Sequence, residues 1–293
     1  MSFEWYFLNI RDEESAAAFL REKGVFHRER WCHSCHQQMQ LGSRRQNGSP
    51  QWKCRNNACR SRISARTGTW FDGSRNRLSL RKAIGLILAW SDRLSTMRFC
   101  EKHLGLDKST TVRWNRHLRA VAAQAVGEVS HPIGGPSKTV ELDQTLFCRR
   151  KHSKGRQQWV FCGTCRETGE SFLELVDNRS SATLLPIILR HVRPGTTIVT
   201  DGWQAYTCLA QDQFKHVCVN HSLNFVQPSS GAHTQTTETM WSEAKRAHQR
   251  RCGTHRSTLP LHLCESMWRG RLKPGEDEFE KILSDIAVLH PPT

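Results

Sequence analysis

The chain has 293 residues and a formal net charge of +16, room for two or three domains, and no run of about 18 apolar residues, which excludes a membrane-spanning helix. The opening MSFEWYFLNIRDEES lacks the basic-then-apolar layout of a secretory signal, which points to the nucleus or cytoplasm and to cysteines that are free thiols or metal ligands. Residues 1–138 carry 24 Lys+Arg against 11 Asp+Glu, a net of +13, and the remainder 19 against 16, a net of +3; a basic arm on a near-neutral body suits a polyanion-binding module joined to something else.

In chain order, residues 1–25 form a helical segment in which ESAAAFLREKG predicts a short amphipathic helix stopped by Gly24. Residues 26–70 hold the cysteine-bearing module. Cys32-x2-Cys35 is followed after eighteen residues by Cys54-x4-Cys59, and two thiolate pairs on tight turns are what a tetrahedral Zn²⁺ site of the ribbon type needs. His33 and His36 are rival ligands beside the first pair. Trp31 and Trp52 are expected to cover the site, and Arg44, Arg45, Lys53, Arg55, Arg60, Arg62 and Arg66 to give it a phosphate-seeking surface. With four protein ligands such an ion supplies folding energy rather than chemistry.

Residues 76–128 are predicted helical. SLRKAIGLILAW (79–90) puts Leu80, Ile84, Ile87 and Leu88 on one face. TMRFCEKHLGLDKSTTVRWNRHLRAVAA (96–123) reads as a DNA-binding helix-turn-helix, with Gly105 in the turn and Asp107 or Ser109 capping the second helix. Thr110, Thr111 and Arg113 are its expected base readers, and Arg116 and Arg119 its phosphate contacts. The plain alternative is a pair of core helices with a solvated basic face. HPIGGPSK (131–138), with two Pro and two Gly, is the best linker.

Beyond it the pattern turns to strands at 138–148, 157–163, 170–176, 196–201 and 215–220, with helices at 180–192, 203–210 and 234–251. That order predicts a mixed α/β sheet over 138–255. Residues 256–293 are left as a C-terminal tail, in which the acidic GEDEFEKILSDI (275–286) reads as an exposed helix. Apart from the two zinc pairs and Cys162 and Cys165 of the second strand, the cysteines (100, 148, 208, 218, 252 and 264) look like buried small apolar residues, as do those two.

Three carboxylates stand out in this region. Asp143 lies inside VELDQTLF, Asp201 ends TTIVTD, and Glu238 falls early in the last long helix. Breaking a phosphodiester with two divalent cations about 3.5–4 Å apart needs such oxygens converging from separate elements. Singly, each is as well read as a turn former or a helix-dipole partner.

Their context is more specific. VELDQTLF, WVFCGTCRETGESFLELV, DNRSSATLLPIILRHVRPGTTIVTDGWQAY and VNHSLNFVQPSSGAHTQTTETMWSEAKR closely resemble the catalytic domain of the Merlin superfamily of cut-and-paste transposases and its bacterial ISXO2-like insertion-sequence relatives. The 36 residues between Asp201 and Glu238 match the spacing of that group's acidic triad. The resemblance implies an RNase H-like fold in which Asp143, Asp201 and Glu238 hold Mg²⁺ (or Mn²⁺). Water would be activated to cut double-stranded DNA at the transposon's terminal repeats, and the freed 3′-hydroxyl would attack target DNA. Synapsis of two ends implies a homodimer or larger assembly, working in the nucleus without a membrane. Lys245, two helical turns after Glu238, is expected to hold a phosphate beside the metals; His221, His233 and Trp203 fall inside the resembling motifs. The basic run 149–156 is a DNA-contacting hairpin, a nuclear address or a solvated turn. Cys162 and Cys165 depart from the glycine-rich stretch common in relatives. The alternative function is a domesticated DNA-binding regulator that has lost nuclease activity.

Overall fold

A computed structural model describes residues 1–43, 48–75, 78–128, 131–147, 158–201, 213–219, 241–242, 245–246 and 256–293. They divide into two units, Met1–Ala125 with Lys273–Thr293, and Val126–Leu272.

In the first unit, α1 (Phe3–Asn9) leads to α2 (Glu13–Glu22), whose start is fixed by a capping box between Asp12 and Ser15. Gly24 stops α2 with φ +73°, as its position predicts. Three short strands, β1 (Met39–Gly42), β2 (Gln51–Cys54) and β3 (Arg62–Ser64), pair antiparallel in that order. Helices α3 (Leu80–Ser91), α4 (Met97–Leu104) and α5 (Lys108–Glu128) follow. Apart from Arg81 and Lys82, every residue of α3 is buried, which makes it a central helix rather than an amphipathic one. Its neighbours are α1, α2, α4 and a last helix, α8 (Glu278–Leu289). Gly85 permits that crowding, because a Cβ there would stand 2.9 Å from Tyr6 and Leu104.

Two readings change here. The acidic C-terminal segment is not an exposed helix: Phe279, Ile282, Leu283 and Ile286 are buried, and Phe279 stacks on Phe19 at 6.0 Å. Their i, i+3, i+4, i+7 spacing is an apolar stripe that the surrounding acids hide from a composition count. Arg66 is not a surface cation either. It is 5 % exposed and faces Glu13 at 3.7 Å. Glu13 in turn accepts the Leu80 and Arg81 amides at 2.9 and 3.0 Å, capping α3 with a carboxylate from another helix.

The second unit is built on a five-stranded sheet of order β6-β5-β4-β7-β8. Strands β4 (Thr139–Phe147), β5 (Gln158–Cys165) and β6 (Ser171–Val176) form an antiparallel meander. Helix α6 (Ser181–His191) then crosses to β7 (Thr197–Asp201), which lies parallel to β4, and β8 (Lys215–Val219) lies parallel to β7. Val140, Leu142, Phe161, Phe172, Ile198, Leu184 and Ile188 form the core between sheet and α6. A helix near the end of the unit, α7 (Leu259–Gly270), packs on β6. The segment read as a linker is pinned to this unit. Ile133 is buried, its amide reaches His191 O at 2.8 Å, and Gly135 N–H donates to Thr196 Oγ1 at 2.8 Å. Its glycines serve that close approach, since a Cβ on Gly134 would stand 2.6 Å from Thr196 Oγ1. The predicted helix 203–210 lies outside the described residues, as does most of 234–251.

Removing the Glu13 carboxylate leaves Arg66 buried and two helix-start amides unsatisfied. Glu13→Ala is therefore expected to cost about 3–5 kcal/mol of stability, and Glu13→Gln, which keeps an acceptor, clearly less. Urea unfolding followed by tryptophan fluorescence checks this; an unchanged midpoint for Glu13→Ala would refute the capping role.

Candidate active site and metal centre

The four cysteines converge. Cys32 and Cys35 lie in the turn closed by Cys32 N–H to Gln37 O and His36 N–H to Cys32 O. Cys54 ends β2, and Cys59 lies in the turn before β3. The residue after each second cysteine, His36 and Arg60, has positive φ (55° and 50°), which reverses the backbone around the sulfurs. Sγ of Cys32 lies 3.5 Å from that of Cys59, Cys35 lies 3.3 Å from Cys54, and all four sulfurs fall within 4.8 Å of one another. Sulfurs about 2.3 Å from a tetrahedral centre lie roughly 3.8 Å apart, so the cluster fits one soft cation.

Electrostatics agree. The amides of Cys35 and Ser34 hold the Cys32 thiol down to about 6. Cys54 receives the Asn56 amide, yet burial and the neighbouring sulfurs push it up to about 12. His33 and His36 are exposed and stand outside this set, and Trp31, 57 % exposed, does not cover it. Trp52 is buried, with the Arg21 guanidinium 5.5 Å over its ring. Arg55, Arg60 and Arg62 are exposed around the cluster; Arg44 and Arg45 lie outside the described residues.

Helices α4 and α5 meet through three residues, Gly105 (φ 58°), Leu106 and Asp107. Asp107, not Ser109, caps α5: its carboxylate accepts from the Ser109 and Thr110 hydroxyls and the Thr110 amide, which hold it well below the usual carboxylate range. Thr110 is thereby occupied, and Thr111 is 1 % exposed with its hydroxyl on Asp107 O, so neither threonine is placed to read a base. The outward stripe is Ser109, Val112, Arg113 and Arg116, spaced i, i+3, i+4, i+7 and exposed throughout, while Arg119 is half-buried.

In the sheet, Asp143 faces Cys162 across β4 and β5. The parallel pairing of β4 with β7 runs Thr139 to Thr197, Val140 to Ile198 and Glu141 to Val199, a constant offset of 58 (197 − 139). The recorded pairing ends there; the same offset continued for two residues would bring Asp143 beside Asp201, the last residue of β7. Of Asp201 the backbone alone is described; it pairs with Val219. The Asp143 carboxylate is half-buried. Its Oδ1 accepts the Gln144 amide at 2.7 Å, and its Oδ2 accepts the Trp241 indole N–H at 2.8 Å. Lys245 is helical and exposed. Glu238, Trp203, His221, His233 and the run 149–156 lie outside the described residues.

Sequence reasoning passed over three residues here: Trp241, Glu141 and Arg166. Glu141 is fully buried two positions before Asp143, on the same face of β4, and meets Arg166 Nε at 2.6 Å. The i, i+2 spacing of two acids in one strand was the available signal. Cys162 is fully buried, and that burial, followed by the charges of Asp143 and Glu141, raises its thiol far above the ordinary value. It is an inert wall, as expected, and Cys100 and Cys165 are buried too. Cys218 is exposed and Cys264 half-buried, unlike the expectation; Cys148, Cys208 and Cys252 lie outside the described residues. Among the described residues no helix is long and apolar enough to cross a membrane.

Residues 131–269 match the ISXO2-like transposase domain, which spans the whole five-stranded sheet and α7. A Haemophilus influenzae protein described as an uncharacterized transposase-like protein is 35 % identical over 95 residues, 32 % of this chain and 76 % of that protein. A chain in the cryo-EM structure of the simian T-cell lymphotropic virus intasome in complex with PP2A regulatory subunit B56 gamma aligns at TM-score 0.32 and 16 % identity, over 47 % of this chain and 50 % of that one, a superposition too loose to bear on the fold. By class, then, the protein is a transposase, a DNA-processing enzyme. Within that class it belongs to the ISXO2-like family.

Full-length protein prepared with zinc available is expected to carry one zinc ion per chain, lost in Cys32→Ser together with part of its thermal stability. Metal analysis alongside a melting curve tests this. A wild-type chain that holds no metal would overturn the assignment of the sulfurs.

Proposed function

We propose that this chain is a DDE transposase that cuts DNA at the terminal inverted repeats of its own element and joins the freed ends to target DNA, with Asp143, Asp201 and Glu238 holding two Mg²⁺ (or Mn²⁺) ions. The observation that supports the reading is the parallel β4–β7 register, whose offset of 58 (197 − 139), if continued past Glu141–Val199, brings Asp143 beside Asp201. The strand order, three antiparallel strands with two parallel ones added beside the first, favours an RNase H-like sheet. Carboxylate oxygens are the donors that hard divalent cations take, and the half-buried Asp143 suits one.

When bound, such ions activate the attacking oxygen and stabilise the leaving oxygen of an in-line displacement. The chain's own residues do the rest. Asp143 is held in one orientation before substrate arrives, so little reorganisation is left for the reaction itself. Cys162 and the buried valines Val199 and Val219 keep that side of the sheet dry. Lys245, seven residues beyond Glu238, is available to a phosphate. The cysteine cluster, as a structural zinc ribbon over 26–70, and α4–α5, as a helix-turn-helix within 76–128, form the basic arm that grips the repeat. Two ends must be held together, which calls for a homodimer or larger assembly on double-stranded DNA. The nucleus is the proposed site of action, and the basic run 149–156 is the segment to test as its address.

Mg²⁺-dependent nicking of the element's own ends is the test. Asp143→Asn and Glu238→Gln are expected to lower nicking by about 10²–10³-fold or more while end binding persists. Cutting by these variants at the wild-type rate would refute the assignment, and a wild type that binds ends without cutting them would leave a domesticated DNA-binding regulator.

For the arm, Arg113→Ala is expected to cost about 1–3 kcal/mol in specific end binding, and Arg116→Ala to lower the salt slope by roughly one. Salt-dependent binding titrations read both. Unchanged affinity and slope in both variants would remove α5 from the DNA interface.

A further inference from the structure

We infer that Trp241 is a positioning residue for the catalytic metal site, acting through Asp143; this rests on the reading of Asp143 as a metal ligand. Trp241 is 4 % exposed. An indole N–H is a donor only, and once buried it requires an acceptor. The acceptor here is not a carbonyl but the Oδ2 of Asp143, at 2.8 Å, within the range of a charge-assisted hydrogen bond. The other oxygen, Oδ1, accepts the Gln144 amide. With a donor on each oxygen, rotation of the carboxylate about its Cβ–Cγ bond is restrained.

The choice of donor matters. An indole is neutral, so it orients the carboxylate without cancelling the charge that attracts a cation. Two positions earlier on the same face, Glu141 receives a guanidinium instead, Arg166 at 2.6 Å, where neither charge faces water freely: their side chains are 0 % and 23 % exposed. That pair is a structural one. Trp241 also follows Glu238, the third acid of the proposed site, by three residues in the sequence. Donors behind a metal ligand typically govern affinity by roughly 10–100-fold.

The experiment uses the full-length chain and Mn²⁺, with free ion followed by electron paramagnetic resonance and end nicking measured across a Mn²⁺ range. Trp241→Phe keeps an aromatic ring and removes the donor. Trp241→β-(3-benzothienyl)alanine keeps the shape of the indole with sulfur in place of N–H, and it decides the matter if the phenylalanine variant does not fold. Either folded variant is expected to bind Mn²⁺ roughly 10–100-fold more weakly, with nicking recovering as Mn²⁺ is raised and end binding unchanged. Wild-type Mn²⁺ affinity in the benzothienyl variant would overturn the inference, as would a loss of nicking that added metal does not restore. Asp143→Asn separates the two levels of the reading. If Asp143→Asn binds Mn²⁺ as wild type does, the metal site itself is misplaced; if it loses Mn²⁺ while the Trp241 variants keep it, the positioning role alone fails.

Discussion

Parallel hydrogen bonding between β4 and β7 is the constraint on which the second unit depends. A strand has a period of two, so a slip of one residue would carry a whole set of side chains to the other face. Here the register is held from both sides. One face of each strand is committed to the apolar core under α6 through Val140, Leu142 and Ile198, which leaves Glu141 and Asp143 on the opposite face. The segment before β4 adds a second lock: Ile133 bridges Val192, and the Lys138 carbonyl accepts the Thr197 amide, so the start of β4 is tied to the start of β7. Apolar packing and backbone pairing thus jointly set the register of β4 against β7, the two strands that carry Asp143 and Asp201.

The first unit meets a different constraint. Strands of three and four residues bury little apolar surface, and so small a sheet does not hold itself together by packing. Four sulfurs within 4.8 Å of one another are tolerable as thiols and repel as thiolates, so a cation held among them would stabilise the fold by resolving that conflict. The helical part of the same unit has no such need. There α3 is buried almost throughout, and the aromatic group of Phe26, Trp70, Phe71 and Trp114, with neighbouring ring centroids 5.2–5.8 Å apart, supplies the packing that the ribbon lacks.

How far the sequence could be read follows from the range of the interactions involved. The strands and the crossing helix of the second unit were legible to within a residue or two, because alternation and capping are local: 138–148 against Thr139–Phe147, 180–192 against Ser181–His191, 196–201 against Thr197–Asp201; helix α7, left in a tail, was missed. The cysteine quartet was legible for the same reason, each pair being its own tight turn. Several of the misread features depend on partners distant in sequence. Phe279 and Ile286 looked like minor members of an acidic run until α3 and Phe19 covered them. Arg66 counted as a surface cation until Glu13 met it. The Pro/Gly segment 131–138 carries the composition of a linker, yet its glycines permit close backbone approach to Thr196. Composition records what a segment contains, not what it meets.

The same limit governs the acids, and it explains why spacing alone did not sort them. Four carboxylates of this chain have four different fates. Asp107 takes hydroxyls and an amide from its own helix start and serves as a cap. Glu13 takes two amides from a foreign helix and a nearby guanidinium, which makes it a brace. Glu141 takes a guanidinium in a fully buried place, and its charge is balanced inside the fold. Asp143 takes the Trp241 indole and the Gln144 backbone amide, donors that orient its two oxygens. In each case the role is decided by the donor brought to the carboxylate, and in three of the four the deciding donor comes from another element. On the role proposed for Asp143, a metal ligand in such a sheet is set apart less by being acidic than by the donors that orient it, and the buried Trp241 indole is one of them.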